Sequence, residues 1–164
     1  MESIDTEVIQ LENALRAFVQ SIKRPQQWTA IISAAGVHID RSAAMILQTL
    51  ILHESEHLGV QDLALLLGIE PPSVSRKTQQ LEYEGYLQRR RSSDDRRAVR
   101  LEVTPAGHEV ADRLWKAQRD IMRQVLKGWS SVDRQHFVSL FTRFADELNS
   151  NTKGLERTNT MKGI

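Results

Sequence analysis

Arg76 and Gln79 lie three positions apart in a stretch with helical spacing, and both side chains suit the recognition of DNA bases. An arginine can bridge O6 and N7 of a guanine, and a glutamine can pair with N6 and N7 of an adenine. Ser73 and Ser75, just upstream, can donate to a phosphate or to a nearby base edge. We predict that these side chains contact DNA. The alternative is an ordinary solvated helix face.

The helix that positions these residues is predicted over residues 71–84, with Pro71 in its first turn, where a missing N–H costs nothing. Val74, Thr78 and Leu81 recur at the spacing of an inward face. Gly85 ends the helix. The side chains that remain for a DNA-facing surface are Pro72, Ser73, Ser75, Arg76, Gln79 and Gln80.

A compact helix is predicted just before it, over residues 59–67, with Gly68 as its C-terminal stop. We expect Leu63, Leu66 and Leu67 to face inward. Two short helices joined by a tight turn that contains glycine form a helix-turn-helix.

The apolar period changes to two after this motif. Residues 86–89 and 98–103 are predicted strands, and residues 92–95 are a predicted turn between them. A β-hairpin that follows a helix-turn-helix is a wing, so these residues predict a winged helix-turn-helix.

Arginine is concentrated around the predicted wing. Six arginines and two acids between Tyr86 and Arg100 give a local charge of 6 − 2 = +4, whereas the net charge of the chain is +1. Charge alone fits a phosphate-contacting patch and a solvated loop equally. Arg89, Arg90 and Arg91 cannot all face DNA, because alternate side chains of a strand point in opposite directions.

Arg96 and Arg97 stand at the predicted wing tip. An arginine on a thin hairpin can enter the minor groove, where narrow A·T-rich stretches deepen the negative potential. We predict that both contact DNA, and that Asp95 holds an arginine in place through a bidentate pair.

Residues 53–57, HESEH, fit the H-E-x-x-H pattern of zinc proteases. That chemistry needs both histidines on one face of a stable helix, a third ligand and a substrate cleft. Here the motif ends a helix and runs directly into the helix-turn-helix. We therefore predict surface histidines, no metal site, no cofactor and no catalytic residues. Zinc binding through His53 and His57 is the alternative.

Both ends of the chain are predicted to be helices with long apolar stripes. The first stripe has the 4-3-4-3-4 spacing of a heptad seam and ends before Pro25. Thr104 caps a long helix that Gly128 ends, and Ser130 or Ser131 caps the last one. The stripes of the first and last helices are Ile4, Val8, Leu11, Leu15, Phe18 and Ile22, and Phe137, Phe141, Phe144 and Leu148.

These terminal helices have little else to pack on within one chain, so we predict a homodimer with a two-fold axis. The predicted fold class is mainly α with a small β-hairpin wing: a winged helix-turn-helix flanked by N- and C-terminal dimerisation helices. Residues 1–36 and 105–149 form the dimerisation region, residues 37–104 the DNA-binding lobe, and residues 150–164 a loosely held polar tail.

The composition excludes several classes. Among the 164 residues 40% are apolar and 26% charged, which is typical of globular proteins, and there is no cysteine for a disulfide framework or a thiolate site. The longest apolar run, residues 43–52, is too short for a bilayer, which needs about 20 residues. The acidic N-terminus is unlike a signal peptide. We predict a cytoplasmic protein with no membrane partner.

The stretch DRRAVRLEVTPAG, residues 95–107, is similar to the signature of the MarR (multiple antibiotic resistance regulator) family. That signature is an acidic-basic-arginine wing tip, an alternating strand and then Leu/Val-Thr-x-x-Gly. LALLLGI at 63–69 and LEYEGYL at 81–87 resemble the two helix-turn-helix landmarks of the family. The order and spacing match over residues 39–110. One departure is Glu70, where a Ser or Thr cap is common.

The resemblance implies a transcriptional regulator, more often a repressor, that binds a pseudo-palindromic operator as a homodimer. It implies minor-groove contact for Arg97 in particular. It also implies a small aromatic or anionic effector held between the dimer helices and the DNA-binding lobe, where Trp28 and His38 are the candidate ligand-binding residues. The alternative is a winged-helix module that uses the same face to bind a partner protein.

Overall fold

The computed structural model describes residues 2–91 and 99–161, and the chain divides into two compact units, Met1–Asp120 and Ile121–Ile164. The order of elements confirms the predicted mainly α fold with a β-hairpin wing. In chain order the elements are α1 Glu2–Lys23, α2 Pro25–Ala35, α3 Arg41–Leu52, a 3₁₀ turn Glu54–Glu56, α4 Val60–Leu67, α5 Pro71–Tyr83, β1 Leu87–Arg91, β2 Val99–Val103, α6 Pro105–Val125 and α7 Ser131–Met161.

The core of the first unit lies between α3, α4, α5 and the N-terminal half of α6. Asp40 is the N-cap of α3. Its carboxylate accepts a hydrogen bond from the backbone N–H of Ala43 at 2.9 Å and satisfies one of the free donors of the first turn. The predicted inward face of α5 is confirmed. The largest fully buried side chains are Ile46, Leu47, Leu63, Leu81, Leu114, Val74 and Thr78.

The buried face of α4 differs from the predicted one. Leu63 is fully buried as expected, but Leu66 is 49% exposed and Ala64 is buried in its place. At 100° per residue, the direction of Leu66 lies far from the face shared by Leu63, Ala64 and Leu67. Gly68 then ends α4 in the left-handed conformation, at φ 61°, which an L side chain rarely adopts.

The wing is an antiparallel hairpin in which Leu87 pairs with Val103 and Arg91 with Val99. The first strand begins one residue later than predicted and runs on to Arg91. Leu101 is buried, and its N–H donates to the carbonyl of Leu58 at 3.4 Å, which holds the hairpin on the core. The predicted turn at 92–95 lies outside the described residues.

One joint connects the end of α5, the wing and the start of α6. The hydroxyl of Thr104 donates to the carbonyl of Gly85 at 2.6 Å and accepts from the N–H of Gly107 at 3.1 Å. The N–H of Thr104 donates to the carbonyl of Tyr86 at 3.0 Å. Thr104 is therefore both the predicted cap of α6 and a connection back to the helix-turn-helix.

Apolar side chains are exposed along α1. Ile4 is 61% exposed, Phe18 is 50% and Ile22 is 41%, whereas Leu15 of the same stripe is half-buried. Within the described residues, no helix combines the length and apolar character needed to cross a bilayer.

The second unit contains the end of α6 and all of α7. The hydroxyl of Ser130 accepts a hydrogen bond from the N–H of Asp133 at 3.1 Å, so Ser130 is the cap. Phe137 and Phe141 stack with ring centres 5.5 Å apart, and both are exposed. α7 continues to Met161, past residue 150, where the polar tail was predicted to begin. No proline interrupts that segment, and helix propensity is a weak guide to where a helix ends.

Candidate nucleic-acid interface

α5 presents the predicted surface. Pro72, Arg76 and Gln79 are exposed, as is Gln80, whereas Ser73 and Ser75 on the flank are half-buried. The hydroxyl of the buried Thr78 donates to the carbonyl of Ser75 at 3.0 Å, which satisfies it within the helix. The two serines lie at the edge of the exposed face of α5.

Arg76 and Gln79 are the side chains best placed to read bases. They stand three positions apart on one helix, so they are neighbours on its surface. Within the part of the chain that the structure describes, neither side chain has a hydrogen-bond or ion-pair partner. Their donors and acceptors are thus available to an external molecule.

Gln80 is held differently from its neighbours. Its carbonyl oxygen accepts from Nζ of Lys77 at 2.7 Å, and its amide nitrogen donates to Oε1 of Glu84 at 2.7 Å. Lys77 also forms an ion pair with Asp40 at the start of α3. Lys77 was absent from the predicted surface. The three-residue spacing of Lys77 and Gln80 could have indicated that these two side chains meet. No local pattern indicates the contact of Lys77 with Asp40, which lies 37 residues away.

Two of the arginines at the base of the wing are paired inside the fold. Nε of Arg89 lies 2.8 Å from Oε2 of Glu82, and Nε of Arg90 lies 3.0 Å from Oε2 of Glu102. These pairs are partly exposed, so each contributes roughly 0–1 kcal/mol and could exchange for a phosphate. The predicted wing-tip residues, Asp95, Arg96 and Arg97, lie outside the described residues.

A cleft of about 290 Å³ separates the start of α3 from α5. Its lining combines basic and hydroxyl side chains with apolar ones. The residues that line it are Ser42, Ile46, Ile69, Ser73, Val74, Arg76, Lys77 and Gln80.

The H-E-x-x-H residues do not share a helix face. α3 ends at Leu52, His53 is its C-terminal cap, and His57 adopts a left-handed φ of 54°. Nδ1 of His53 lies 2.9 Å from Oε1 of Glu56, which places its ring against its own turn. Among the residues that the structure describes, no three His, Cys, Asp or Glu side chains are arranged to hold a metal ion.

No hydrogen bond, ion pair or ring contact joins Trp28 and His38, the two described residues that are predicted to bind an effector. Trp28 is half-buried, and the guanidinium of Arg41 lies 5.6 Å from the centre of its ring. His38 is exposed. Neither residue lines the cleft beside α5. Their role in ligand binding stays a prediction.

Known proteins resemble this chain in sequence and in fold. A sequence model described as the MarR family matches residues 41–99. The transcriptional repressor MprA of Escherichia coli K12 is 25% identical over 111 residues, which are 68% of this chain and 63% of the repressor. The HTH-type transcriptional regulator PrsX of Escherichia coli is 30% identical over 105 residues, 64% of this chain and 63% of PrsX. The chain thus spans less than two thirds of the length of each regulator.

A solved structure of a MarR family protein from Bacillus stearothermophilus superposes with a TM-score of 0.74 and 22% identity, covering 88% of this chain and 97% of that one. It shares the fold: helices at both ends and a winged helix-turn-helix between them. The family match covers that middle region, from the start of α3 to the first residue of β2. This chain therefore resembles the MarR family in sequence over residues 41–99 and has the fold of the solved MarR family protein.

Proposed function

We propose that this chain is a DNA-binding transcriptional repressor that reads an operator through α5. The observation that carries the proposal is the exposed surface of α5, where Arg76 and Gln79 have no partner among the described residues. Two comparisons support it. The relative MprA is named a repressor. A structure of a MepR variant from S. aureus, with a TM-score of 0.57, 17% identity and coverage of 84% of this chain and 97% of that one, is bound to an oligodeoxyribonucleotide.

We infer that the repressor is a homodimer. α1 exposes a stripe that includes Ile4 and Phe18, and α7 exposes one that includes Phe137 and Phe141. Contiguous apolar stripes of this length are rare on monomers and mark surfaces that another chain covers. A second copy related by a two-fold axis would present two α5 helices to successive major grooves about 34 Å apart, which requires a pseudo-palindromic operator.

The proposed repressor responds to a small aromatic or anionic effector. Arg41 beside the face of Trp28 supports this, because a cation next to an aromatic ring suits a ligand that is both flat and negatively charged. Such a ligand would act by binding more tightly to one spacing of the two DNA-binding lobes than to another. We place the effector near Trp28, with His38 as a further contact.

The test is selection from a random duplex pool, repeated across a salt series. We expect enrichment of a two-fold symmetric site, and an affinity that falls steeply as salt rises, because bound lysines and arginines release counterions from phosphates. Respacing the half-sites by half a helical turn is expected to abolish tight binding. Selection of no site together with a flat salt response would contradict the proposal and favour the protein-interaction module.

A further inference from the structure

A continuous chain of polar contacts runs from the start of α3 along the recognition helix α5. Oδ1 of Asp40 caps α3, and Oδ2 accepts from Nζ of Lys77 at 2.5 Å. The same Nζ donates to Oε1 of Gln80 at 2.7 Å, and Nε2 of Gln80 donates to Oε1 of Glu84 at 2.7 Å. Four side chains of α3, α5 and their caps are thus joined in sequence, and Gln80 is the member that belongs to the proposed DNA surface.

This arrangement permits only one orientation of the Gln80 amide. Rotation by 180° would turn its NH₂ group toward the ammonium of Lys77 and its carbonyl toward the carboxylate of Glu84, so both contacts would become repulsive. A free glutamine side chain on a helix surface samples many rotamers, and a bound one has to give that freedom up. The contacts with Lys77 and Glu84 already restrict the rotamers of Gln80 in the absence of DNA.

Lys77 is better explained as a link than as a phosphate contact. Its side chain is only 20% exposed, whereas the neighbouring Arg76 is exposed and free of partners in the described part of the chain. Two of its three N–H donors are used within the protein. The Asp40 carboxylate beside it also neutralises its charge. Burial raises the pKa of that carboxyl, but the hydrogen bonds from Lys77, Ala43 and Ser42 and the charge of Lys77 together outweigh burial and lower the pKa from its usual value.

We propose that Asp40 and Lys77 are positioning residues that orient Gln80, so that the base preference at one operator position depends on an ion pair that does not itself touch DNA. The proposal rests on the proposed function, since it concerns how the same surface reads an operator. A preoriented amide binds its matching base edge without the cost of ordering, and loses that advantage when the link is cut.

The test compares the wild type with Asp40→Asn and Lys77→Met on the selected operator and on duplexes with each base pair changed singly. Asparagine is also a good helix cap, so Asp40→Asn removes the charge while keeping the start of α3. Both variants are expected to reduce discrimination about three- to tenfold at one base pair, the same one that Gln80→Ala affects. The salt dependence of binding is expected to stay unchanged.

The matched control is Lys116→Met, which removes the same charge from another Lys–Asp pair, 3.0 Å from Asp120 on α6. It is expected to leave base discrimination as in the wild type. Two results would overturn the proposal. A uniform loss of affinity in Lys77→Met, with a salt slope smaller by about one, would show that Lys77 contacts a phosphate. A uniform gain of affinity in Asp40→Asn would show that Asp40 simply repels phosphate.

A second readout needs no DNA. In the free protein the Gln80 side-chain amide is expected to be ordered by NMR relaxation in the wild type and mobile in Asp40→Asn and Lys77→Met. If the wild type selects no duplex, the proposed function fails, and this measurement alone decides whether the ion pair orders Gln80. Equal mobility in all three proteins would overturn the positioning role, whatever the DNA result.

Discussion

Replacing Gly107 with alanine is expected to destabilise the protein, because the added methyl group would crowd the contact between the end of α5, the wing and the start of α6. Gly107 is buried in the first turn of α6, and a Cβ built on it would lie 2.3 Å from the carbonyl oxygen of Tyr86 and 2.7 Å from Cγ1 of Val103. The first contact is to backbone, so no flexible side chain can move away to relieve it. The same Tyr86 carbonyl accepts the hydrogen bond from the N–H of Thr104 at 3.0 Å.

The size of the effect follows from opposing contributions. Forcing an extra methyl group into a packed site costs about 1–3 kcal/mol. Any shift of α6 away from Tyr86 also weakens the hydrogen bonds of Thr104, each worth about 0.5–1.5 kcal/mol. Against this, alanine is favoured over glycine inside a helix by about 1 kcal/mol. We therefore expect a net loss of about 1–3 kcal/mol in the free energy of unfolding, or roughly 2–4 °C in Tm per kcal/mol for a chain of this size.

The assay is urea unfolding of the wild type, Gly107→Ala and Gly128→Ala at one protein concentration, because association would make stability depend on concentration. Gly128 is the matched control: an added Cβ meets nothing within 4 Å there. We expect its stability to stay within about 0.5 kcal/mol of the wild type. A Gly107→Ala protein as stable as the control would refute the reasoning, since it would show that the joint can open without cost.

Three further changes test the interface and the core. Arg76→Ala is expected to weaken operator binding by about 1–3 kcal/mol and to relax preference at one base pair, whereas alanine at the exposed Arg113 of α6 should change neither in the same binding assay. Because the pKa of Asp40 is lowered on folding, its stabilising contribution is present above pH 3.8 and lost as the pH falls through the folded value, so the stability difference between wild type and Asp40→Asn should shrink in acid unfolding curves. Gln48 and Gln118 exchange amide hydrogen bonds at 3.2 and 3.4 Å between α3 and α6. Leucine at either position should cost about 1–3 kcal/mol, and leucine at both much less, because only the single changes leave a buried or half-buried amide unpaired. Thermal unfolding of the three variants measures this, and additive losses would contradict it.

The parts of the fold that the sequence predicted are those with local signals. Caps and stops such as Asp40, Gly68 and Thr104 mark where helices begin and end, and the period-two pattern identifies the wing, because each depends on a few neighbouring residues. Helix propensity carries less information, so the continuation of α7 to Met161 was missed. The inward direction of Leu66 was also wrong, since in a run of leucines the composition cannot show which one faces the core.

In the candidate nucleic-acid interface, exposure was predictable from the sequence, whereas contacts between distant residues were not. Exposure of Arg76 and Gln79 follows from helical spacing alone, and the structure agrees with it. The restraint on Gln80 does not follow, because it depends on Asp40, and that contact forms only when α3 packs against α5. Pairing of Arg89 with Glu82 likewise joins a strand to a helix. Charge counted along the chain therefore overstates how much of the basic segment is free for DNA.

The two connections of α6 to the winged helix-turn-helix limit how an effector could act. Thr104 joins the first turn of α6 to the end of α5, and Gln118 joins a turn near its other end to Gln48 of α3. Between them Val110, Ala111, Leu114 and Ala117 are buried, so this length of α6 packs against the core along one face. A helix that is held at two separated points and packed between them moves together with the winged helix-turn-helix and does not shift relative to it. The proposed effector response should therefore change the spacing between two lobes of a dimer and leave the internal geometry of each lobe intact.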